Sequence, residues 1–85
     1  MDYVEENKSL TASFDCLTND SPLKFKLYQK NNSGWSNVTL DIPASENVQT
    51  PQLTLTTSDN CEIIRILVES TIINQIFFID NIIVQ

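Results

Sequence analysis

Basic and aromatic side chains alternate with apolar ones over a short stretch of the chain, where they could bind a ligand together. Three lysines and a tyrosine are spaced two residues apart: Lys24, Lys26, Tyr28 and Lys30. Residues two apart in a β-strand lie on the same face of the sheet, so these side chains should share a face. Trp35 follows across a predicted hairpin and could lie beside them.

A face of this kind suits a sugar. Sugars present apolar C–H surfaces that stack on aromatic rings, and hydroxyl groups that need hydrogen-bond partners. Ammonium groups beside the rings would favour acidic sugars through charge pairing. The residues predicted to bind a glycan are Lys24, Lys26, Tyr28 and Trp35. The alternative is a solubilising face whose lysines protect an exposed strand from pairing with other chains.

Catalytic machinery is not expected, because the 85-residue chain contains no histidine. Neither a Ser-His-Asp nor a Cys-His arrangement can be assembled without that base. The 11 Asp and Glu residues fall mostly in turn-rich segments and near the N-terminus. A glycosidase instead needs two carboxylates facing each other across a cleft. The sequence therefore predicts a protein that is not an enzyme.

The charge balance narrows the range of partners. A net charge of −6 with only five Lys and Arg residues argues against a nucleic-acid partner, because phosphate neutralisation needs many cations. No apolar run approaches the roughly 20 residues that a helix needs to cross a bilayer, so a membrane partner is not expected. The acidic start, MDYVEEN, lacks the apolar centre of a signal peptide.

Two cysteines, Cys16 and Cys61, permit one disulfide. They do not indicate a metal site, because neither CxxC spacing nor histidine accompanies them. If bonded, they would close a loop of about 45 residues and stabilise the fold by about 3–4 kcal/mol in the chain-entropy account. The alternative is two small side chains buried in the core.

The elements that position these residues are predicted to be strands. Two-residue alternation is widespread, and helical three-to-four spacing is rare. About six strands are expected, near 9–17, 23–30, 35–42, 52–57, 62–70 and 75–84. The chain is long enough for one core. We therefore predict one all-β domain over residues 1–85, an antiparallel β-sandwich of jelly-roll type. Residues 1–8 would be a flexible or covering segment.

The last two predicted strands carry apolar residues on both faces, and such strands are normally covered on both sides. One face of the final strand is assigned Phe77, Ile79 and Ile83. The outward apolar residues of both strands would form one patch, larger than a soluble monomer usually leaves exposed. We expect this patch to contact partner chains in a homotrimer, unless the N-terminal segment covers it. The predicted interface residues are Ile63, Leu67, Phe78, Ile82 and Val84.

Short segments between Leu10 and Val84 resemble jelly-roll carbohydrate-binding modules of the galactose-binding-like type. The similar pieces are Ser13-Phe14, PLKFKLY at 22–28, Trp35, LTLT at 53–56, IRI at 64–66 and FFIDNI at 77–82. Such modules occur in glycoside hydrolases and phage tail proteins. The resemblance implies a non-catalytic module that binds polysaccharide within a larger surface or secreted protein, located outside the cell or on a virion.

The resemblance also gives Asp80 a candidate role. In these modules the closing aspartate often binds a structural calcium ion together with an N-terminal Asn-Gly-Asp-Phe-Glu-like motif, which is absent here. No other cofactor is expected. Alternatively, Asp80 accepts hydrogen bonds from backbone N–H groups or pairs with Arg65. Arg65 itself could be a structural residue paired with Glu62 or Asp80, or it could contact the ligand.

Two functions therefore stay open. The Lys–Tyr–Trp face favours a glycan-binding module. The doubly apolar closing strands favour a structural or oligomerisation domain, such as one at the end of a phage tail fibre or tailspike.

Overall fold

The regular structure of the chain is β throughout residues 7–85, which are the residues described by the computed structural model. The strands are β1 Ser9–Thr18, β2 Leu23–Asn31, β3 Gly34–Ile42, β4 Ser45–Gln49, β5 Gln52–Thr56, β6 Ile63–Ser70 and β7 Phe78–Val84. The described part of the chain contains no helix with the length and apolar character needed to cross a membrane.

The strands form two antiparallel sheets, so the predicted all-β sandwich is confirmed. In the first sheet β1 is central: β7 pairs along one edge, and β5 and β4 pair with successive halves of the other edge. In the second sheet β2 lies between β3 and β6. The two central strands therefore carry much of the core.

The hydrophobic core lies between the sheets. Its two phenylalanines, Phe14 of β1 and Phe25 of β2, meet edge to face with ring centroids 4.7 Å apart, a favourable aromatic geometry. The buried apolar cluster comprises Ala12, Phe14, Cys16, Leu23, Phe25, Leu27, Ile42 and Leu55. The inward residues of β1 and β2 recur every second position, as the alternation predicted.

A buried glutamine joins the two sheets. The side-chain amide of Gln29 donates to the carbonyl of Thr56 at 3.0 Å, and its oxygen accepts from the N–H of Ser58 at 2.8 Å. Both polar ends are thus satisfied, which removes the penalty for burying them. The contact ties β2 to the end of β5.

Residues 7–85 contain seven strands, one more than the sequence predicted. The additional strand is β4, which lies in a segment interpreted as a turn. Its pairing places Gln49 opposite Cys16 and Ser45 opposite Thr18. This pairing supplies backbone partners to the second half of β1. The alternation signal was weak because Val48 is the only large apolar residue in β4, and it points outward.

A β-bulge in β7 reverses the predicted faces at its end. Ile83 pairs with Ser13 and Asp80 with Asp15, so two residues of β7 oppose a single residue of β1. At the bulge, Asn81 has a φ of 54°, a conformation that asparagine tolerates better than most residues. Val84, predicted to face outward, therefore packs against the core, and Ile83 is exposed instead.

The disulfide between Cys16 and Cys61 that the sequence permits is not formed. The Cys16 thiol is free and buried in the core. Burial raises the pKa of this thiol, and the negative charge of Asp15 raises it further. Cys16 therefore takes the alternative role of a small core residue.

Of the predicted N-terminal segment, residues 1–6 lie outside the described residues. Asn7 and Lys8 continue the pairing beside β5. The Asn7 N–H donates to the carbonyl of Thr57 at 2.9 Å, and the Thr57 N–H donates to that of Lys8 at 2.9 Å.

Candidate functional site

The outer side of the β3–β2–β6 sheet, which we call the β2 face, carries the predicted glycan residues. Inward residues of all three strands pack on the core, so the intervening residues point outward. These are Trp35, Asn37, Thr39 and Asp41 of β3, Lys24, Lys26, Tyr28 and Lys30 of β2, and Ile63, Arg65, Leu67 and Glu69 of β6. Lys24, Lys26, Tyr28 and Trp35 thus share one face, as predicted.

A groove crosses one end of the β2 face. It has a volume of about 450 Å³ and is lined by Tyr28, Trp35, Arg65 and Leu67. The rings of Tyr28 and Trp35 are nearly perpendicular, at 85°, with centroids 6.2 Å apart. Trp35 as a whole remains 46% exposed. An exposed aromatic wall is therefore available to a ligand in the groove.

Arg65 belongs to this site. Its guanidinium carbon lies 4.9 Å from the ring centroid of Trp35, within the range of a cation–π contact. The ion pairs found between described residues join other groups, so the predicted pairing of Arg65 with Glu62 or Asp80 is not observed. Arg65 reaches this site because β6 pairs with β2 in a register that places Arg65 opposite Tyr28. The sequence alone does not specify that register, so it could not assign Arg65 to the site.

Two of the predicted glycan lysines are already paired. The ammonium of Lys24 lies 3.6 Å from a carboxylate oxygen of Asp41, and that of Lys26 lies 3.5 Å from Glu69. Lys24 and Asp41 lie opposite each other at the end of the β2 face away from Trp35, and Lys26 lies opposite Leu67. Their acidic partners reduce the attraction that these lysines exert on an anionic ligand.

The predicted apolar interface is divided between different parts of the fold. Ile63 and Leu67 lie on the β2 face, and Val84 packs against the core. Phe78 and Ile82 lie on the other sheet, with exposed fractions of 66% and 62%. The five residues therefore do not form the single contiguous patch that the sequence predicted.

A second surface is formed by the outer side of the sheet built on β1, which we call the β1 face. Phe78 is in register with Leu17, and both line a groove of about 290 Å³ together with the exposed Val48. Leu17 and Val48 were not predicted to lie here. The pairing of β4 with β1 places Val48 on this surface, and the sequence did not indicate that strand.

Asp80 lies at the rim of the β1 face, opposite Asp15 in the β1–β7 register. Its side chain accepts a hydrogen bond from the Asn81 N–H at 2.9 Å, in agreement with the backbone alternative. Within residues 7–85 no group of three or more acidic, histidine or cysteine side chains is arranged to hold a metal ion. The calcium interpretation stays a prediction.

Asp15 is held by two side chains. Asn81 donates from its amide to one carboxylate oxygen at 2.7 Å, and the Thr50 hydroxyl donates to the other at 2.8 Å. These hydrogen bonds, first that of Asn81 and then that of Thr50, lower the pKa of Asp15. Asp15 thus anchors the bulge of β7 and the segment after β4.

Comparison with known proteins gives no match to a family model, to a curated protein or to a solved structure.

Proposed function

We propose that this chain is a non-catalytic glycan-binding module of a larger extracellular or virion protein, with the β2 face as its binding surface. The observation that carries the proposal is the groove in which Tyr28, Trp35 and Arg65 converge on an exposed sheet. The predicted resemblance to carbohydrate-binding modules points in the same direction.

The groove combines the groups that sugar recognition needs. Tyr28 and Trp35 offer aromatic surface to sugar C–H groups, and Arg65 adds several N–H donors for hydroxyl or acidic oxygens. The volume of about 450 Å³ lies at the lower end of the range of ligand pockets. An open groove of this kind is expected to bind with a dissociation constant of about 1 mM, near −4 kcal/mol.

Affinity electrophoresis through gels that contain soluble polysaccharides tests this proposal. The variant Tyr28→Ala/Trp35→Ala should lose retention on every polysaccharide that retards the unmodified chain. Phe78→Ala is the matched control, because it removes an exposed aromatic ring from the opposite sheet. Equal retention of all three proteins would contradict a site on the β2 face, and no retention of the unmodified chain would contradict the function.

A second candidate function is assembly of chains, as in the end of a phage tail fibre or tailspike. The observation that favours it is the exposed apolar surface of the β1 face, where Val48 is 65% and Phe78 66% exposed. The connection from β6 to β7 adds the exposed Ile73 and Ile76. We propose that a homotrimer would bury this surface, at a gain of about 25 cal/mol per Å² of apolar area.

Light scattering tests the assembly proposal. The unmodified chain should have the mass of a trimer, and Phe78→Asp should dissociate it, because a carboxylate would be buried in an apolar contact. Thr54→Asp is the control, since Thr54 is already polar and exposed on the same sheet. A mass of one chain at all concentrations would contradict this second candidate and leave the glycan proposal intact.

A further inference from the structure

The positive charge of the chain is concentrated on the β2 face. Four of the five Lys and Arg residues of the chain lie there beside two carboxylates, which gives the face a local charge of +2 on a chain of net charge −6. Opposite potential on an otherwise acidic molecule attracts anionic ligands to that face.

The uncompensated part of this charge lies at the aromatic end. Lys24 and Lys26 are paired with Asp41 and Glu69. Among the described residues, neither Lys30 nor Arg65 forms an ion pair with a carboxylate. In the register of the sheet, Lys30 lies opposite Trp35 and Arg65 lies opposite Tyr28. The positive charge available to a ligand is therefore that of Lys30 and Arg65, not that of Lys24 and Lys26, which the sequence suggested.

The geometry of Arg65 suits an acidic group. The guanidinium carbon of Arg65 lies over one face of the Trp35 indole, 4.9 Å from the ring centroid. This contact orients the plane of the guanidinium. A guanidinium can bind a carboxylate or a sulfate through two parallel N–H donors, which an ammonium cannot. Because Arg65 covers one face of the indole, a sugar ring would contact the part of Trp35 that Arg65 leaves exposed, together with Tyr28 and Leu67, which line the same groove.

We propose that the ligand of the β2 face is an acidic sugar whose carboxylate or sulfate is bound by Arg65, with Lys30 adding charge beside it. This inference rests on the proposed glycan-binding function and names its substrate class. Arg65 is then the residue that separates acidic from neutral sugars, and Tyr28 and Trp35 supply the contact common to both.

Two pairs of probes test the inference by isothermal titration calorimetry. Oligogalacturonate and its methyl ester share one sugar backbone and differ in the carboxylate charge. Dextran sulfate and dextran make the corresponding comparison for sulfate. At least one charged probe should bind about tenfold more tightly than its neutral counterpart, a difference of about 1.4 kcal/mol. The charged probe that is preferred identifies the acidic group.

Arg65→Gln and Lys24→Gln each remove one positive charge from the β2 face, so they form a matched pair. Arg65→Gln should weaken binding of the preferred probe about fivefold or more. Lys24→Gln should weaken it less than about twofold, since Asp41 already compensates the charge of Lys24. Arg65→Lys keeps the positive charge but removes the two parallel N–H donors of the guanidinium. It should weaken binding less than Arg65→Gln and more than Lys24→Gln. Circular dichroism checks that each variant is folded.

The outcomes separate the two proposals. Equal losses in Arg65→Gln and Lys24→Gln would show that only overall charge matters and would overturn the role of Arg65. Equal affinity for charged and neutral probes would overturn the acidic-sugar inference and leave the glycan-binding function standing. A chain that binds none of these probes, nor any polysaccharide in the electrophoresis experiment, would overturn both.

Discussion

The guanidinium of Arg65 rests on the ring of Trp35, 4.9 Å from its centroid, although β2 runs between the strands that carry the two residues. The contact therefore spans the width of the sheet. It closes one side of the groove beside Tyr28 and connects β6 to β3 above the central strand.

A double-mutant cycle measures this contact. Arg65→Gln and Trp35→Leu should show a coupling of about 0.5–1 kcal/mol in the free energy of unfolding, as expected for an exposed cation–π contact. Urea unfolding followed by circular dichroism gives the four values. The parallel cycle with Lys24→Gln should show no coupling to Trp35→Leu. Additive effects of Arg65→Gln and Trp35→Leu would mean that the contact contributes nothing to stability.

The two-sheet core predicts a sharp contrast between two phenylalanines. Phe25 is fully buried against Phe14, so Phe25→Ala should lower the free energy of unfolding by about 3–5 kcal/mol. That is a large share of the total stability of a small domain. Phe78→Ala should change it by less than about 1 kcal/mol in the monomer, because that ring is mostly exposed. Similar losses in chemical denaturation would contradict the assignment of the core.

The bulge of β7 predicts an order among substitutions of Asn81. Both Asn81→Gly and Asn81→Ala remove the hydrogen bond to Asp15. Only alanine also strains the backbone at the positive φ of 54°, so Asn81→Ala should be less stable than Asn81→Gly by about 1 kcal/mol. Thermal unfolding of the two variants gives this difference. Equal stability would argue against the left-handed conformation at Asn81.

The lowered pKa of Asp15 predicts a loss of stability in acid. Because the folded pKa lies below the ordinary value of 3.8, the contribution of Asp15 is fully present above that pH. It is lost as the pH falls through the folded pKa. The difference in free energy of unfolding between the unmodified chain and Asp15→Asn should therefore be constant near neutral pH and shrink below pH 3.8.

Thr50→Val provides the control for this pH dependence, since it removes one of the two hydrogen bonds to Asp15. It should reduce the acid-dependent difference without abolishing it, because Asn81 is the larger cause of the lowered pKa. If the free energy of unfolding of the unmodified chain exceeded that of Asp15→Asn by more as the pH fell, the lowered pKa of Asp15 would be contradicted.

Two-residue alternation was sufficient to predict the central strands. From Leu23 to Tyr28 of β2 the apolar residues alternate with lysines and Tyr28, so both the core and the β2 face could be inferred. The pattern works there because the strand has one buried and one exposed face and no irregularity.

The remaining features depend on contacts between distant segments. The bulge at Asn81 shifts the alternation by one residue, which exchanged the faces predicted for Ile83 and Val84. The place of Arg65 follows from the pairing of β6 with β2, and that of Val48 from the pairing of β4 with β1. Spacing along one strand carries no information about which strands become neighbours.

A nuclear magnetic resonance titration of the isotopically labelled chain with oligogalacturonate and, separately, with dextran sulfate tests the central claim most directly. Trp35 is the only tryptophan, so its indole N–H gives a unique signal in the groove. If the β2 face binds the glycan, the largest shifts fall on Tyr28, Trp35 and Arg65 and saturate together with the indole signal. Shifts confined to Leu17, Val48 and Phe78 on the β1 face, or no shifts at all, would contradict it.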